Sequence, residues 1–129
     1  MTDGGSAPVF APRRVDKPWG SELIWALTDR YCGKVITIET GKRLSLQYHE
    51  QKVESILVLS GRLLLHLEDD AGAMTQHELG EGATSHIPVG RRHRFEAIER
   101  VELVEVSTPE LEDVVRVEDD FGREGTSNP

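Results

Sequence analysis

The sequence predicts a single all-β domain, either a sandwich or a jelly roll. Three observations carry that prediction. Short runs rich in Val, Ile, Leu and Thr follow one another between turn signals. No long stretch keeps a helical period. The 129 residues leave room for one domain and a core that needs no covalent staple.

In chain order, residues 1–12 are rich in Gly, Ser, Ala and Pro and read as a flexible arm. The barrel region is expected over 13–121 and a second flexible tail over 122–129. Strands are expected at Leu23–Ala26, Lys34–Glu39, Leu44–Tyr48, Ser55–Leu59 and Leu63–Glu68. Further strands are expected at Thr75–Leu79, Thr84–Ile87, His93–Ala97, Val101–Ser107 and Val114–Val117. Thr40-Gly41, Ser60-Gly61, Asp69 to Gly72, Gly80 to Gly82, Pro88 to Gly90 and Thr108-Pro109 punctuate them. Leu111–Val115 is open between strand and short helix. The run Leu63-Leu64-Leu65-His66-Leu67 is apolar on both strand faces. It predicts an outer face covered by another sheet or by a second copy of the chain, hence a homodimer.

Composition excludes some functions. The net charge is −8 and the pI about 5.1. A nucleic-acid binder needs a basic footprint, so no nucleic-acid partner is expected. No apolar run approaches the roughly 20 residues of a spanning helix, so no membrane partner is expected. Cys32 is the only cysteine, which rules out an internal disulfide and suits a reducing cytoplasm. The opening residues have no basic and apolar regions of a signal peptide. The expected location is the cytoplasm.

The chemistry lies in two glycine-framed clusters. The first is Gly41, Gln47, His49, Glu54, Gly61; the second is Gly82, Pro88, Gly90, His93. Gln47 and His49 share one face of a strand. Glu54 and His93 are placed to meet them, giving a mixed N/O metal site of Gln47, His49, Glu54 and His93. Such donors suit zinc first, with iron, manganese, nickel or cobalt also compatible. Taken singly, each of these residues reads as an ordinary strand or surface side chain.

The spacing of the first cluster resembles the first cupin motif, with glutamine at the usual first histidine. The second resembles the second cupin motif, with Ala97 where an asparagine usually stands. Four further stretches are Lys17-Pro18-Trp19-Gly20, Arg43-Leu44-Ser45-Leu46-Gln47 with His49, Ile87-Pro88-Val89-Gly90, and Asp113 to Arg123. These are similar to the cupin domain of type II mannose-6-phosphate isomerases. The likeness spans roughly Arg14 to Arg123. It implies a cupin jelly-roll barrel, one divalent metal ion and a phosphorylated sugar as ligand. The implied reaction interconverts mannose 6-phosphate and fructose 6-phosphate through a cis-enediol. The family's domain commonly ends a longer isomerase–guanylyltransferase. No nucleotidyltransferase segment is present here, so no guanylyltransferase activity is implied. Glu50-Gln51-Lys52 replaces the histidines that often follow the motif histidine, and Ser55-Ile56 stands where an aromatic is common.

Around the metal set, Lys52 is expected to hold a substrate hydroxyl, or to act as a base if burial lowers its pKa. Arg43 and Ser45 share parity with Gln47 and His49. A continuous strand would point them into the barrel, Arg43 as a catalytic or phosphate-binding cation and Ser45 as a substrate contact. Arg91 at the barrel mouth and His86 on the approach complete the expected substrate contacts. Two alternatives are a non-catalytic sugar- or metabolite-binding cupin and a small metal-dependent dioxygenase. Gln47 counts against the dioxygenase, because oxygen-activating iron favours imidazole-rich shells.

Overall fold

A computed structural model of the chain describes residues 8–126. Ten strands form one curled, antiparallel sheet with no helix among the described residues. They are β1 (Arg13–Lys17), β2 (Gly20–Leu27), β3 (Cys32–Ile38), β4 (Leu46–Tyr48), β5 (Glu54–Glu68), β6 (Met74–Leu79), β7 (Thr84–Ile87), β8 (His93–Ser107), β9 (Val115–Glu118) and β10 (Gly125–Thr126). The all-β jelly roll is therefore as the sequence predicts.

The chief difference is that four expected strands are two. Ser55–Leu59 and Leu63–Glu68 fuse into β5, and His93–Ala97 and Val101–Ser107 fuse into β8. Ser60-Gly61 is a bulge inside a ladder and not a turn: register shifts fall between Val58 and Leu63. β5 and β8 pair from Glu54↔Ser107 to Leu67↔His93. β5 joins β7 through its first half and β6 through its second, whereas β8 joins β4 at its start and β3 through its second half. Glu54 and His93 thus sit at opposite ends of one long ribbon. Drawn straight, the 13 steps from Glu54 to Leu67 would span about 43 Å. The ribbon folds over at the bulge, and the two side chains come within 3.2 Å.

The core fills the space between the two halves. Trp19, Ile36, Ile38, Leu44, Ile56, Val58, Leu63, Leu65, Ile87, Phe95, Ala97, Val101 and Leu103 form one buried cluster. Inward positions alternate along the strands, as in Val101, Leu103 and then Glu105 on β8. The Leu63–Leu67 run is less two-faced than expected. Leu63, Leu65 and Leu67 pack on the core, while the outer face carries only Leu64 and His66, among Glu78, Glu96 and Gln76. That face gives no reason for a second copy. Exposed apolar side chains gather instead on the other half, at Trp25, Leu57, Leu59 and Val106.

The expected Leu44–Tyr48 strand shrinks to Leu46–Tyr48, with Arg43 in an isolated bridge to Glu96. Leu111–Val115 is neither helix nor strand up to Val114; it is a turn leading into β9. The expected tail from Gly122 begins with ordered structure. Arg123 is bound to Asp119, and Gly125–Thr126 pairs with β9. Residues 1–7 of the expected arm and 127–129 of the expected tail lie outside the described residues. No helix of the described residues is long and apolar enough to cross a membrane.

Asp113 staples the C-terminal strap, residues 111–126, to the loop between β4 and β5. Its carboxylate accepts the backbone N–H groups of Glu50 (3.0 Å), Gln51 (2.7 Å) and Lys52 (2.8 Å). Burial works against its charge, but these three donors hold its pKa below the usual value. Asp113→Ala is expected to lower stability by about 2 kcal/mol, the order for stranded backbone donors. A depressed carboxyl stabilises above its unfolded pKa, about 3.9, and loses that contribution as the pH falls through the folded value. Denaturation curves of wild type and variant should therefore converge as the pH falls through the folded value. A constant gap at all pH values would contradict this role.

Candidate metal centre and its cavity

Three of the four expected metal ligands converge. One donor atom each from His49, Glu54 and His93 lies within 4.8 Å of the others, and all three residues are buried. His49 Nε2 is 2.9 Å from Glu54 Oε1, and His93 Nε2 is 3.2 Å from the same oxygen. The far side of each ring is fixed. His49 Nδ1 donates to the Asp113 carbonyl at 2.6 Å, and His93 Nδ1 donates to the Arg91 carbonyl at 2.9 Å. A carbonyl only accepts, so both Nδ1 atoms carry the hydrogen. Both Nε2 atoms then face the Glu54 carboxylate. His93 Nε2 is buried with no hydrogen-bond partner. Two ring nitrogens and a carboxylate that converge in a buried place fit a cation, and ring nitrogens oriented by carbonyls are the usual support of metal-bound histidine. The donor set therefore fits a divalent metal ion.

Gln47 is the cross-strand partner of His93 and lines the same cavity. Its Oε1 accepts the Ser45 hydroxyl at 2.6 Å. Ser45 is fully buried and lines the cavity, so its contact is with Gln47.

Lys52 enters the same cavity as a buried cation, its Nζ 3.3 Å from Glu105 Oε2. Burial opposes its charge, but Glu105 and Glu54 outweigh it and raise its pKa. The condition for a basic Lys52, a pKa lowered by desolvation, is not met, and its acidic neighbours favour the ammonium that would hold a substrate hydroxyl. Glu105 behaves in the opposite way. Burial first, and then the charge of Glu54, push its pKa up to about 8 against the pull of Lys52. Glu54 is buried too. Contacts with His49, His93 and Glu105, and the charge of Lys52, hold it well below the usual carboxylate range.

The other expected contacts lie elsewhere. Arg43 points outward and makes a two-pronged pair with Asp120, at 2.7 and 2.9 Å. The parity argument failed because the strand it assumed begins only at Leu46. Arg91 pairs with Asp70 and with the Glu68 carbonyl outside the cavity. It serves the site through its own carbonyl, which orients His93. His86 lies on the outer face of β7, with Nδ1 2.7 Å from Ser55 Oγ, because neighbouring Ile87 takes the inward position.

Six charged cavity residues were not foreseen: Lys17, Glu22, Lys34, Glu105, Arg116 and Arg123. Lys34 and Glu22 form a buried pair at 3.1 Å. Lys34 also stands opposite Glu105 across β3 and β8. The signal was present in the sequence. Lys34 has the parity of Ile36 and Ile38, and Glu105 has that of Val101 and Leu103. A charge at a core position of a strand is costly unless partnered, and it marks an interior site. The cavity is narrow, about 50 Å³, room for a few waters. Leu111 and Val114 of the strap line it together with Trp19, Leu44 and Phe95.

Fold and site together define a cupin: a jelly-roll barrel whose interior carries a His, Glu, His cluster. The chain belongs to the family described as mannose-6-phosphate isomerase C-terminal, which it matches over residues 7–119. It is 34% identical over 116 residues to a mannose-1-phosphate guanylyltransferase of Escherichia coli K12, covering 86% of this chain and 23% of that protein. It is 32% identical over 116 residues to the xanthan biosynthesis protein XanB of Xanthomonas campestris, covering 86% of this chain and 24% of that protein. The chain thus spans about a quarter of the length of these curated relatives. Among solved structures, oxalate decarboxylase from Bacillus subtilis superposes with a TM-score of 0.75 at 16% identity, covering 89% of this chain and 34% of that one. KdgF from Halomonas sp. gives 0.67 at 20% identity, covering 75% and 86%. These likenesses bear on the fold alone.

Proposed function

We propose that the chain is a metal-dependent sugar-phosphate isomerase interconverting mannose 6-phosphate and fructose 6-phosphate. One observation carries this reading: His49 and Glu54 of the metal cluster line the same cavity as the Lys52–Glu105 pair. His49, Glu54 and His93 would hold the ion, with Gln47 as a fourth ligand through its amide oxygen. Zinc heads the choice for these donors, with iron, manganese, nickel and cobalt compatible. When bound, a divalent ion supplies Lewis-acid stabilisation of negative charge on the sugar oxygens. The reaction moves a proton between C1 and C2. Lys52, held by Glu105, donates a hydrogen bond to the oxygen on which the enediolate charge develops. Glu105 is the cavity carboxylate beside the triad that is not itself a ligand, and it carries the proton between the two carbons. Ser45 keeps Gln47 turned into the site. The family match and the mannose-1-phosphate relatives support a mannose phosphate as the substrate.

Elemental analysis and a coupled isomerase assay test the reading. Purified protein is expected to carry close to one divalent ion per chain and to turn over mannose 6-phosphate. His49→Ala is expected to lose both the ion and the turnover. Absence of metal from active protein would sink the proposal. The narrowness of the cavity favours a second reading, a sugar-binding cupin without turnover. Metal and sugar-phosphate binding with no product would establish that one instead.

A further inference from the structure

We propose that the outer face of the β2-β3-β8-β5-β7 half of the sheet is an interface, on which a second copy of this chain packs about a two-fold axis. The outward positions of these strands lie in register. Leu23, Val35, Val104, Leu57 and Thr84 form one row across five strands, and Gly33, Val106, Ser55 and His86 form the next. A register shift between Ile24 and Ala26 accompanies Trp25, whose ring lies over Gly33. A Cβ added at Gly33 would be 2.6 Å from that ring. No described residue covers this face: Trp25 is 42% exposed, Leu59 44% and Val106 49%.

Charge points to the occupant. Across the outward positions of β2, β3, the first half of β5 and the second half of β8, the one ionised residue is Glu102, which accepts the Ser60 hydroxyl at 3.1 Å. The other outer face sets Glu78, Glu96 and Gln76 around Leu64 and His66. Two copies that each carry −8 repel wherever charged surfaces meet, so an uncharged sheet face is where they can join. A foreign partner drawn by charge would find nothing to read there. The face is also large enough. Six strands from β1 to β7, about 4.8 Å apart, and about six residues at about 3.4 Å make a face of about 29 by about 20 Å, roughly 600 Å². A pair would bury about 1,200 Å², the lower end of specific interfaces.

The relief of the face suits self-pairing. At the Val106 end, Tyr31, Val53, Pro88 and Val106 line an open hollow of about 470 Å³. Trp25 stands beside it, since Gly33 under the ring is the cross-strand partner of Val106. A two-fold axis between ring and hollow puts the Trp25 of each copy into the hollow of the other. Tryptophan in a pocket is a common anchor of an interface, and packed sheets lie nearly aligned with their apolar side chains interleaved. The covered strands include β5 and β8, whose inner positions carry Glu54 and Glu105. The partner therefore backs the cavity wall without entering the cavity. It sits on the opposite half of the sheet from the Leu63–Leu67 run.

Sedimentation of the purified protein from about 1 to about 200 µM, joined to acrylamide quenching of tryptophan emission, tests this. The mass is expected to rise from the 14.4 kDa of one chain to twice that value, with a midpoint in the micromolar range for a face of this size. Trp19 is 2% exposed, so quenching reports Trp25, and it should fall over the same concentrations. Leu57→Glu and Val106→Glu each set like charges on both copies and should raise the midpoint at least tenfold. Both positions are exposed, and a melting curve in dilute solution checks that each variant folds. Leu64→Glu, on the other outer face, should pair as wild type does. A mass of one chain at about 200 µM overturns the proposal. So does a pair in which Trp25 stays as open to the quencher as before, or one that Leu64→Glu breaks and Leu57→Glu spares. Assemblies that grow past two copies without a plateau would mean head-to-tail contact and overturn the two-fold.

Discussion

Lys52→Met is expected to lower isomerase kcat by about a thousandfold, the upper range for losing one hydrogen-bond donor to a developing oxyanion. It is also expected to destabilise the fold by about 3 kcal/mol, because removing one member of a buried ion pair leaves the other uncompensated. The partner left behind is Glu105, which burial first, and then the charge of neighbouring Glu54, already raise to a pKa of about 8. A carboxyl whose folded pKa is raised keeps its proton in the folded chain after the unfolded chain has lost it. Stability then falls as the pH climbs from about 4.3 through the folded value. In wild type that fall is complete a little above pH 8. Without the Lys52 charge the folded pKa is higher still, so the variant goes on losing stability where wild type has levelled off. The gap between the two should widen as the pH passes 8, in chelator so that metal adds no linkage of its own. The double variant Lys52→Met, Glu105→Leu separates the two roles. An apolar pair of similar volume often replaces a buried ion pair without loss. The double variant should regain most of the stability and none of the activity. A double variant as unstable as the single one would show that the pair is not the source of the cost. Undiminished kcat in Lys52→Met would remove Lys52 from the reaction.

The metal cluster was legible in the sequence because its residues carry their own framing. His49, Glu54 and His93 sit at fixed distances from Gly41, Gly61, Pro88 and Gly90, and that spacing survives without knowledge of the barrel. The substrate contacts were less legible. Arg43 and Ser45 were assigned by extending a strand back from Gln47, yet the chain from Arg43 to Ser45 makes only a single bridge before β4 begins. Parity is a property of pleated backbone, and it says nothing where the pleat stops. Lys34 and Glu105 were missed for the opposite reason. Their strands were foreseen, but the charge at an inward position was not taken as information. Arg116 and Arg123 needed the return of the C-terminal strap across the mouth, a long-range contact that no local pattern encodes. Gly61 was read as the end of a strand because a glycine after a serine marks a turn far more often than a bulge. The same chemistry, a positive φ, serves both.

Gly61→Ala is the substitution in which fold and site meet, and Gly61 is with Gly20 one of two glycines among the described residues where a Cβ would lie 1.9 Å from backbone of a paired strand. Gly61 has φ +82°, where an L side chain costs about 1–2 kcal/mol. A Cβ there would lie 1.9 Å from the Arg100 carbonyl oxygen and 2.9 Å from the Val101 Cα. Both obstacles are backbone of the paired strand β8, so no rotamer relieves the contact and the ladder itself has to part. Val101 and Leu103, which follow the obstacle on β8, are fully buried in the core. The expected loss is about 4 kcal/mol or more, read from denaturant midpoints. The consequence reaches beyond stability, since the β5–β8 ribbon turns back at this bulge and only that turn brings Glu54 to His93. Gly61→Ala protein that still folds should therefore bind metal more weakly than wild type, although the substituted residue touches none of the ligands. Gly82→Ala is the control. Its φ is similar, +87°, but a Cβ there has open space within 4 Å, so it should show the backbone cost alone and keep the metal. Equal losses in the two variants would mean that the close approach to Arg100 does not hold the ribbon in its fold.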